Sequence, residues 1–151
     1  MLFLVFRIGQ ERYIIKATNI AAVIPLLKTH KITGVPDYIA GVINYKGHTI
    51  PVVDLSKLIA GKKSKPRLST RIVLVDYVIA GERYKTLGFI AEKATEIVKL
   101  HTSDFSVQNI SSDVAPYLGS IANDSEGMLQ KIDIHQLIDL KIRDYLDFKA
   151  A

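Results

Sequence analysis

Four histidines, His30, His48, His101 and His135, are the side chains here best suited to move protons or hold a metal near neutral pH. Each stands alone in the sequence. A helical zinc site needs a second histidine one turn away, and none of the four has one. The chain has no cysteine, which excludes thiolate catalysis, disulfides and Cys-based zinc centres. Glu92, Glu96 and Asp133 could serve as an acid–base pair only if folding brought two of them into a cleft. They read instead as surface acids. Gly61-Lys62 has the ending of a phosphate-binding loop. Lys63, however, stands where a magnesium-binding Ser or Thr is required, and Ser56 where the first glycine must turn the chain. No dinucleotide fingerprint and no Gly-x-Ser-x-Gly nucleophile elbow occurs. The expectation is a non-catalytic protein with no metal and no cofactor.

What remains is surface. The chain has 151 residues and a formal charge of +5, unevenly placed. No acid lies between Asp54 and Asp76, a stretch that carries Lys57, Lys62, Lys63, Lys65, Arg67 and Arg71. Three readings are open: a solvated basic loop, a face for an anionic protein partner, or a nucleic-acid contact. The last needs aromatic residues interleaved as stacking platforms, and the stretch has none. Tyr45-Lys46 is a second candidate: it is an ordinary solvated turn or, as an aromatic beside a cation, an interface anchor.

These residues need elements to present them. Hydrophobic residues make up 48% of the chain and charged residues 23%, as in ordinary globular domains. The opening MLFLVFRIG is too short for a signal peptide, and Pro25 interrupts the longest later apolar run. A cytoplasmic protein without direct membrane insertion is expected. Leu2 to Ile8 is apolar but for Arg7, as in a strand covered on both faces. Gly9 to Arg12 reads as a four-residue turn into a strand from Tyr13 to Ile15. Lys16 to Ile24 fits a short helix or a strand. Asp37 can cap a helical turn to Ala40. Two apolar arms flank Asn44-Tyr-Lys-Gly47, which predicts a β-hairpin with a polar tip. Pro51 places its strand at an edge or beside a bulge. Asp54 should cap a helix from Leu55 to Ile59 that Gly61 ends. A basic loop follows to Ser69. Arg71 to Tyr77 and Tyr84 to Ile90 predict a second hairpin turning at Ala80 to Glu82, and Glu96 to Leu100 a separate short strand. Ser103 to Pro116 reads as turns. Tyr117 to Ala122 and Met128 to Ile134 form a last pair, and His135 to Phe148 an amphipathic helix with one break. Nine or ten short strands predict a mainly β fold, one barrel or two packed together.

At the central hairpin the chain resembles the CheW family of chemotaxis coupling proteins. The resemblance rests on Pro36-Asp-Tyr-Ile-Ala-Gly41-Val-Ile-Asn-Tyr-Lys-Gly47 with Ile50-Pro-Val-Val-Asp-Leu55. Phe3 to Phe6 with Gly9-Gln-Glu-Arg-Tyr13, Ile72 to Val75, Gly88 to Ile90 and Met128 to Ile138 extend it over nearly the whole chain. It implies two SH3-like five-stranded β-barrels packed together, with short helices including a C-terminal one, in a single domain over residues 1–151. It implies a non-catalytic adaptor that links the cytoplasmic tips of methyl-accepting chemoreceptors to the regulatory domain of a CheA-type histidine kinase. Other CheW-like proteins would be array partners, and the protein would be recruited from the cytoplasm to membrane receptor arrays. By position, Ile20, Gly41 and Lys46, with Asn44, Tyr45 and Gly47 around the tip, fall on receptor or array surfaces. Arg71 and Ile97 fall on the kinase-facing surface. Lys46 replaces a common Arg, while Lys16 and Ala22 replace common acids, which implies a dedicated partner set. Ala115-Pro-Tyr-Leu-Gly119 is similar to coupling proteins of Wsp-type surface-sensing pathways, which feed a cyclic-di-GMP output. The competing reading, from residues alone, is a basic small barrel that binds nucleic acid.

Overall fold

Alternating apolar residues and well-placed turns give nine strands among the described residues, 1–78, 84–106 and 115–146 of a computed structural model. They are β1 (Leu2–Ile8), β2 (Glu11–Lys16), β3 (Ile20–Pro25), β4 (Ile39–Tyr45), β5 (His48–Asp54), β6 (Arg71–Val78), β7 (Tyr84–Lys99), β8 (Leu118–Asp124) and β9 (Gly127–Ile132). Helix α1 (Leu55–Ala60) follows β5, and α2 (Ile134–Leu137) follows β9.

The strands close into two five-stranded barrels that share β7. Barrel A is β8, β9, β2, β1 and the second half of β7. Barrel B is β3, β6, the first half of β7, β5 and β4. Three cores result, and strand alternation assigns residues to them. On β1, Phe3 and Val5 fill barrel A, while Leu4, Phe6 and Ile8 pack into the large core between the barrels. On β6, Ile72 and Leu74 fill barrel B, while Val73, Val75 and Tyr77 join the same central core. Both faces are buried over Phe3 to Phe6 and Ile72 to Val75, so those stretches are apolar without alternation.

Several local expectations change. The first hairpin turns on Gly9 and Gln10 alone, with Glu11 and Arg12 already in β2. Lys16 to Ile24 is neither wholly helix nor strand: a 3-10 turn at Ala17–Asn19 leads into β3. No helical turn runs from Asp37 to Ala40. A turn closed by the Ile39 amide donating to the Pro36 carbonyl feeds directly into β4. Asp54 does cap α1, and Gly61 ends it at φ 76°. Pro51 sits just before the stretch of β5 that pairs with β7, where no donor is required of it. The two strands expected at Tyr84–Ile90 and Glu96–Leu100 are one. β7 runs 16 residues, and a bulge at Lys93, φ 51°, carries it from one barrel to the other. The turn expected at Ala80 to Glu82 and most of the turn-rich Ser103 to Pro116 lie outside the described residues. The C-terminal helix has its break: α2, capped by Asp133, continues as a π-helical turn over Ile138–Ile142 and a 3-10 turn over Arg143–Tyr145. The Tyr38 hydroxyl donates to the Lys141 carbonyl in the π turn, which ties the β3–β4 connection to this helical segment.

One long-range contact fastens barrel A. The Arg12 guanidinium donates two hydrogen bonds to Asp124, at 2.8 and 2.7 Å, from a side chain only 7% exposed. These bonds hold the Asp124 carboxyl down at about 2, against burial, which pushes it up. Asp124→Ala leaves a buried guanidinium with Glu126, at 3.5 Å, and the more weakly acting Glu96 to balance it among the described residues. We expect a loss of roughly 2–4 kcal/mol in urea unfolding. The pH dependence has a definite sign. A carboxyl with a lowered folded pKa stabilises above its unfolded value, near 3.9, and that contribution fades as pH falls toward about 2. The melting temperature of the parent should fall over that window more steeply than that of Asp124→Asn.

Candidate protein-interaction site

The β4–β5 hairpin builds the most exposed of the expected positions. Its turn has two residues, Lys46 and Gly47, with φ of 50° and 82°. Positive φ at both central positions is the type I′ geometry, whose twist matches paired strands and whose first position favours Asn, Asp or Gly. Lysine there is strained, because an L side chain in the left-handed region costs roughly 1–2 kcal/mol. The flanking residues fix the tip. Asn44 accepts a hydrogen bond from the Gly47 amide at 3.2 Å, and Tyr45 pairs with His48 across the strands. The Lys46 ammonium lies 5.3 Å from the centroid of the Tyr45 ring, a cation–π contact at the apex. Asn44, Lys46 and Gly47 are exposed, and Tyr45 is half-buried.

Gly41 does not share that exposure. It lies buried at the base of β4, at φ 134°, where a Cβ would fall 2.0 Å from the His30 carbonyl oxygen. The chain at His30 runs antiparallel beside β4 there, exchanging two hydrogen bonds with Val42. The surface position expected of Gly41 therefore gives way to a packing role: its missing side chain lets the β3–β4 connection pass. Ile20 is half-buried at the start of β3, packed against the central core and paired with Val75.

Arg71 and Ile97 stand apart from the tip. Arg71 opens β6 opposite Ala91, just before the bulge where β7 passes between barrels. Arg71 and Ile20 are at opposite ends of the β3–β6 ladder, roughly 13 Å apart by strand rise. Ile97 is in barrel A, opposite Leu4, and is 52% exposed. Leu2, two pairs along on the same face, is 53% exposed and makes Ile97 part of an apolar patch. Sequence reasoning counted Leu2 with the core because it belongs to an unbroken apolar run. The expected residues thus fall in two places: the tip, Gly41, Ile20 and Arg71 in barrel B, and Ile97 in barrel A.

The remaining candidates stay dispersed. The four histidines are exposed, and no group of three metal-ligating side chains forms among the described residues. Asp133 is engaged as a helix cap, accepting from the Gln136 amide at 3.2 Å. On the basic loop, Lys62, Lys63, Lys65 and Arg67 project outward beside a wholly exposed Leu68. Among the described residues, no helix is long and apolar enough to cross a membrane.

The family model described as "CheW-like domain" matches residues 2–141. The chemotaxis protein CheW of Bacillus subtilis (strain 168) is 26% identical over 138 residues, covering 90% of this chain and 85% of that protein. The chemotaxis protein CheW of Helicobacter pylori is 26% identical over 102 residues, 68% of this chain and 59% of that one. The crystal structure of the scaffolding protein TtCheW from Thermoanaerobacter tengcongensis matches with a TM-score of 0.77 at 25% identity, covering 93% of this chain and 89% of that one.

Proposed function

Because the chain belongs to the CheW-like domain family, we propose that it is a chemotaxis coupling adaptor that holds chemoreceptors and a CheA-type histidine kinase together without chemistry of its own. Residues 1–151 work as one unit with two docking regions, one on each barrel. The receptor's cytoplasmic tip meets barrel B at Asn44 to Gly47 with Ile20 nearby, and Gly41 shapes that surface from inside. The kinase regulatory domain meets Ile97 and Leu2 on barrel A, with Arg71 at the junction. Other CheW-like proteins use the same faces within an array.

The observation that carries this reading is Lys46 itself. Asn or Gly would suit its backbone better, yet the tip holds a cation out at its apex. Strain kept at an exposed position is a sign of use. β7 gives the two regions a mechanical link, since one continuous strand belongs to both barrels. The nucleic-acid reading finds no support on the basic loop, which carries an exposed leucine and no aromatic residue. Similarity at Ala115 to Gly119 further supports a surface-sensing pathway with a cyclic-di-GMP output. A deletion strain grown on a surface should then show altered cyclic-di-GMP.

The kinase face has a direct test. Ile97→Asp should weaken binding to the isolated kinase regulatory domain roughly tenfold or more, because the interface would have to bury an unpaired carboxylate. The melting temperature should change little, since the side chain is already half exposed. Calorimetric titration and a thermal melt on the same preparation check both parts. Unchanged affinity would remove Ile97 from the interface.

A further inference from the structure

A groove of about 720 Å³ lies between the β3–β4 connection and the loop after α1. Its size is that of ordinary ligand clefts, roughly 300–1,000 Å³. The floor is aliphatic, formed by Leu26, Ile32, Val35 and Ile90. The rim is cationic. Lys28, Lys31 and Lys63 are exposed on it and have no ion-pair partner among the described residues. A fourth lysine, Lys57, is balanced by Asp37 at 3.4 Å. The other acid in the wall, Asp54, is buried and engaged. Its oxygens accept from the Lys57 amide at 3.3 Å, the Ser64 amide at 2.9 Å and the Ser64 hydroxyl at 2.5 Å. Three lysines are thus left facing an apolar floor.

We propose that this groove docks an acidic segment of a partner polypeptide, with aliphatic side chains on the floor and Asp or Glu against Lys28, Lys31 and Lys63. Charge complementarity selects the carboxylates, and the floor selects the aliphatic anchors. Nucleic acid fits poorly, because no aromatic side chain lines the groove to stack a base. Phosphate fits poorly too: the Lys57 amide at the start of α1 and both Ser64 donors are already engaged by Asp54. The groove is separate from the hairpin tip and from the Ile97 patch. It adds a third contact and does not depend on the roles given to those two.

The test uses a fluorescent peptide alternating Leu and Glu, the matching Leu–Lys peptide, and a short oligo-dT, each titrated against the full chain. The Leu–Glu peptide should bind, and the Leu–Lys peptide should not. Lys31→Glu combined with Lys63→Glu should weaken binding roughly tenfold or more, while thermal melts stay unchanged because both side chains are exposed. Amide shifts should map to residues 26–40 and 63–66. Lys46→Glu should bind the Leu–Glu peptide as tightly as the parent, which separates this groove from the hairpin tip. The proposal is overturned if the Leu–Glu peptide fails to bind, or binds no better than its Leu–Lys counterpart. It is equally overturned if the double variant binds unchanged, if the shifts map elsewhere, or if oligo-dT competes for the groove.

Discussion

Lys46→Glu should uncouple receptor from kinase and leave the melting temperature within a degree or two of the parent. The fold is insensitive because the residue is an exposed turn residue whose side chain lies over its neighbour Tyr45, and such changes usually fall within about 0.5 kcal/mol. If the tip meets an acidic partner surface, reversing its charge turns attraction into repulsion, which can cost several kcal/mol. A loss of that order lowers affinity roughly a hundredfold. Lys46→Asn sharpens the test. Asn tolerates the left-handed backbone at φ 50°, so this variant should melt slightly higher while coupling worse. Stability and function then move in opposite directions, which no loss-of-fold explanation produces. Lys46→Arg should couple at least as well as the parent, because a guanidinium can hold a carboxylate through two hydrogen bonds. Kinase activity in reconstituted receptor arrays, read beside thermal melts, decides among these outcomes.

Gly41→Ala should be the most damaging single methyl added to this protein. The new Cβ would stand 2.0 Å from the His30 carbonyl oxygen, well inside contact distance, and the obstacle is backbone that cannot simply rotate away. The residue also sits at φ 134°, where only glycine is comfortable. Strain and overpacking together should cost about 3 kcal/mol or more, roughly 6–12 °C in melting temperature. The His30–Val42 hydrogen bonds at 2.8 and 2.9 Å would be displaced with it. Coupling would fall as well, as a consequence of misplaced structure. A variant that melts like the parent yet fails to couple would return Gly41 to the interface and contradict its buried role.

Legibility followed the range of the interaction. The β4–β5 hairpin and the Asp54 cap with its Gly61 stop were readable because each depends on residues within a few positions of one another. The two-faced burial of β1 was readable from its apolar run, although which residue of β1 or β6 entered which core required the closed barrels. The same unbroken run concealed Leu2, which lies beyond the end of the buried stretch. β7 was misread as two strands because the bulge at Lys93 breaks its alternation where it changes barrels. Nothing local marks Arg12 and Asp124, 112 residues apart, as partners. The requirement for glycine at position 41 is set by His30, eleven residues earlier, through an isolated bridge that the strand pattern does not announce. The groove was hidden for the same reason: its floor and rim come from two loops and β7, which only the barrel brings together.

A protein that joins receptor to kinase must give the receptor control over the kinase. The direct measurement is phosphorylation by a purified CheA-type kinase on receptor-containing membranes, as this protein is titrated in. Receptor control of the kinase should appear with added protein and saturate, and Lys46→Asn should fail to supply it despite melting no lower than the parent. Receptor control that is complete without the protein, or unchanged at every concentration of it, would contradict the account.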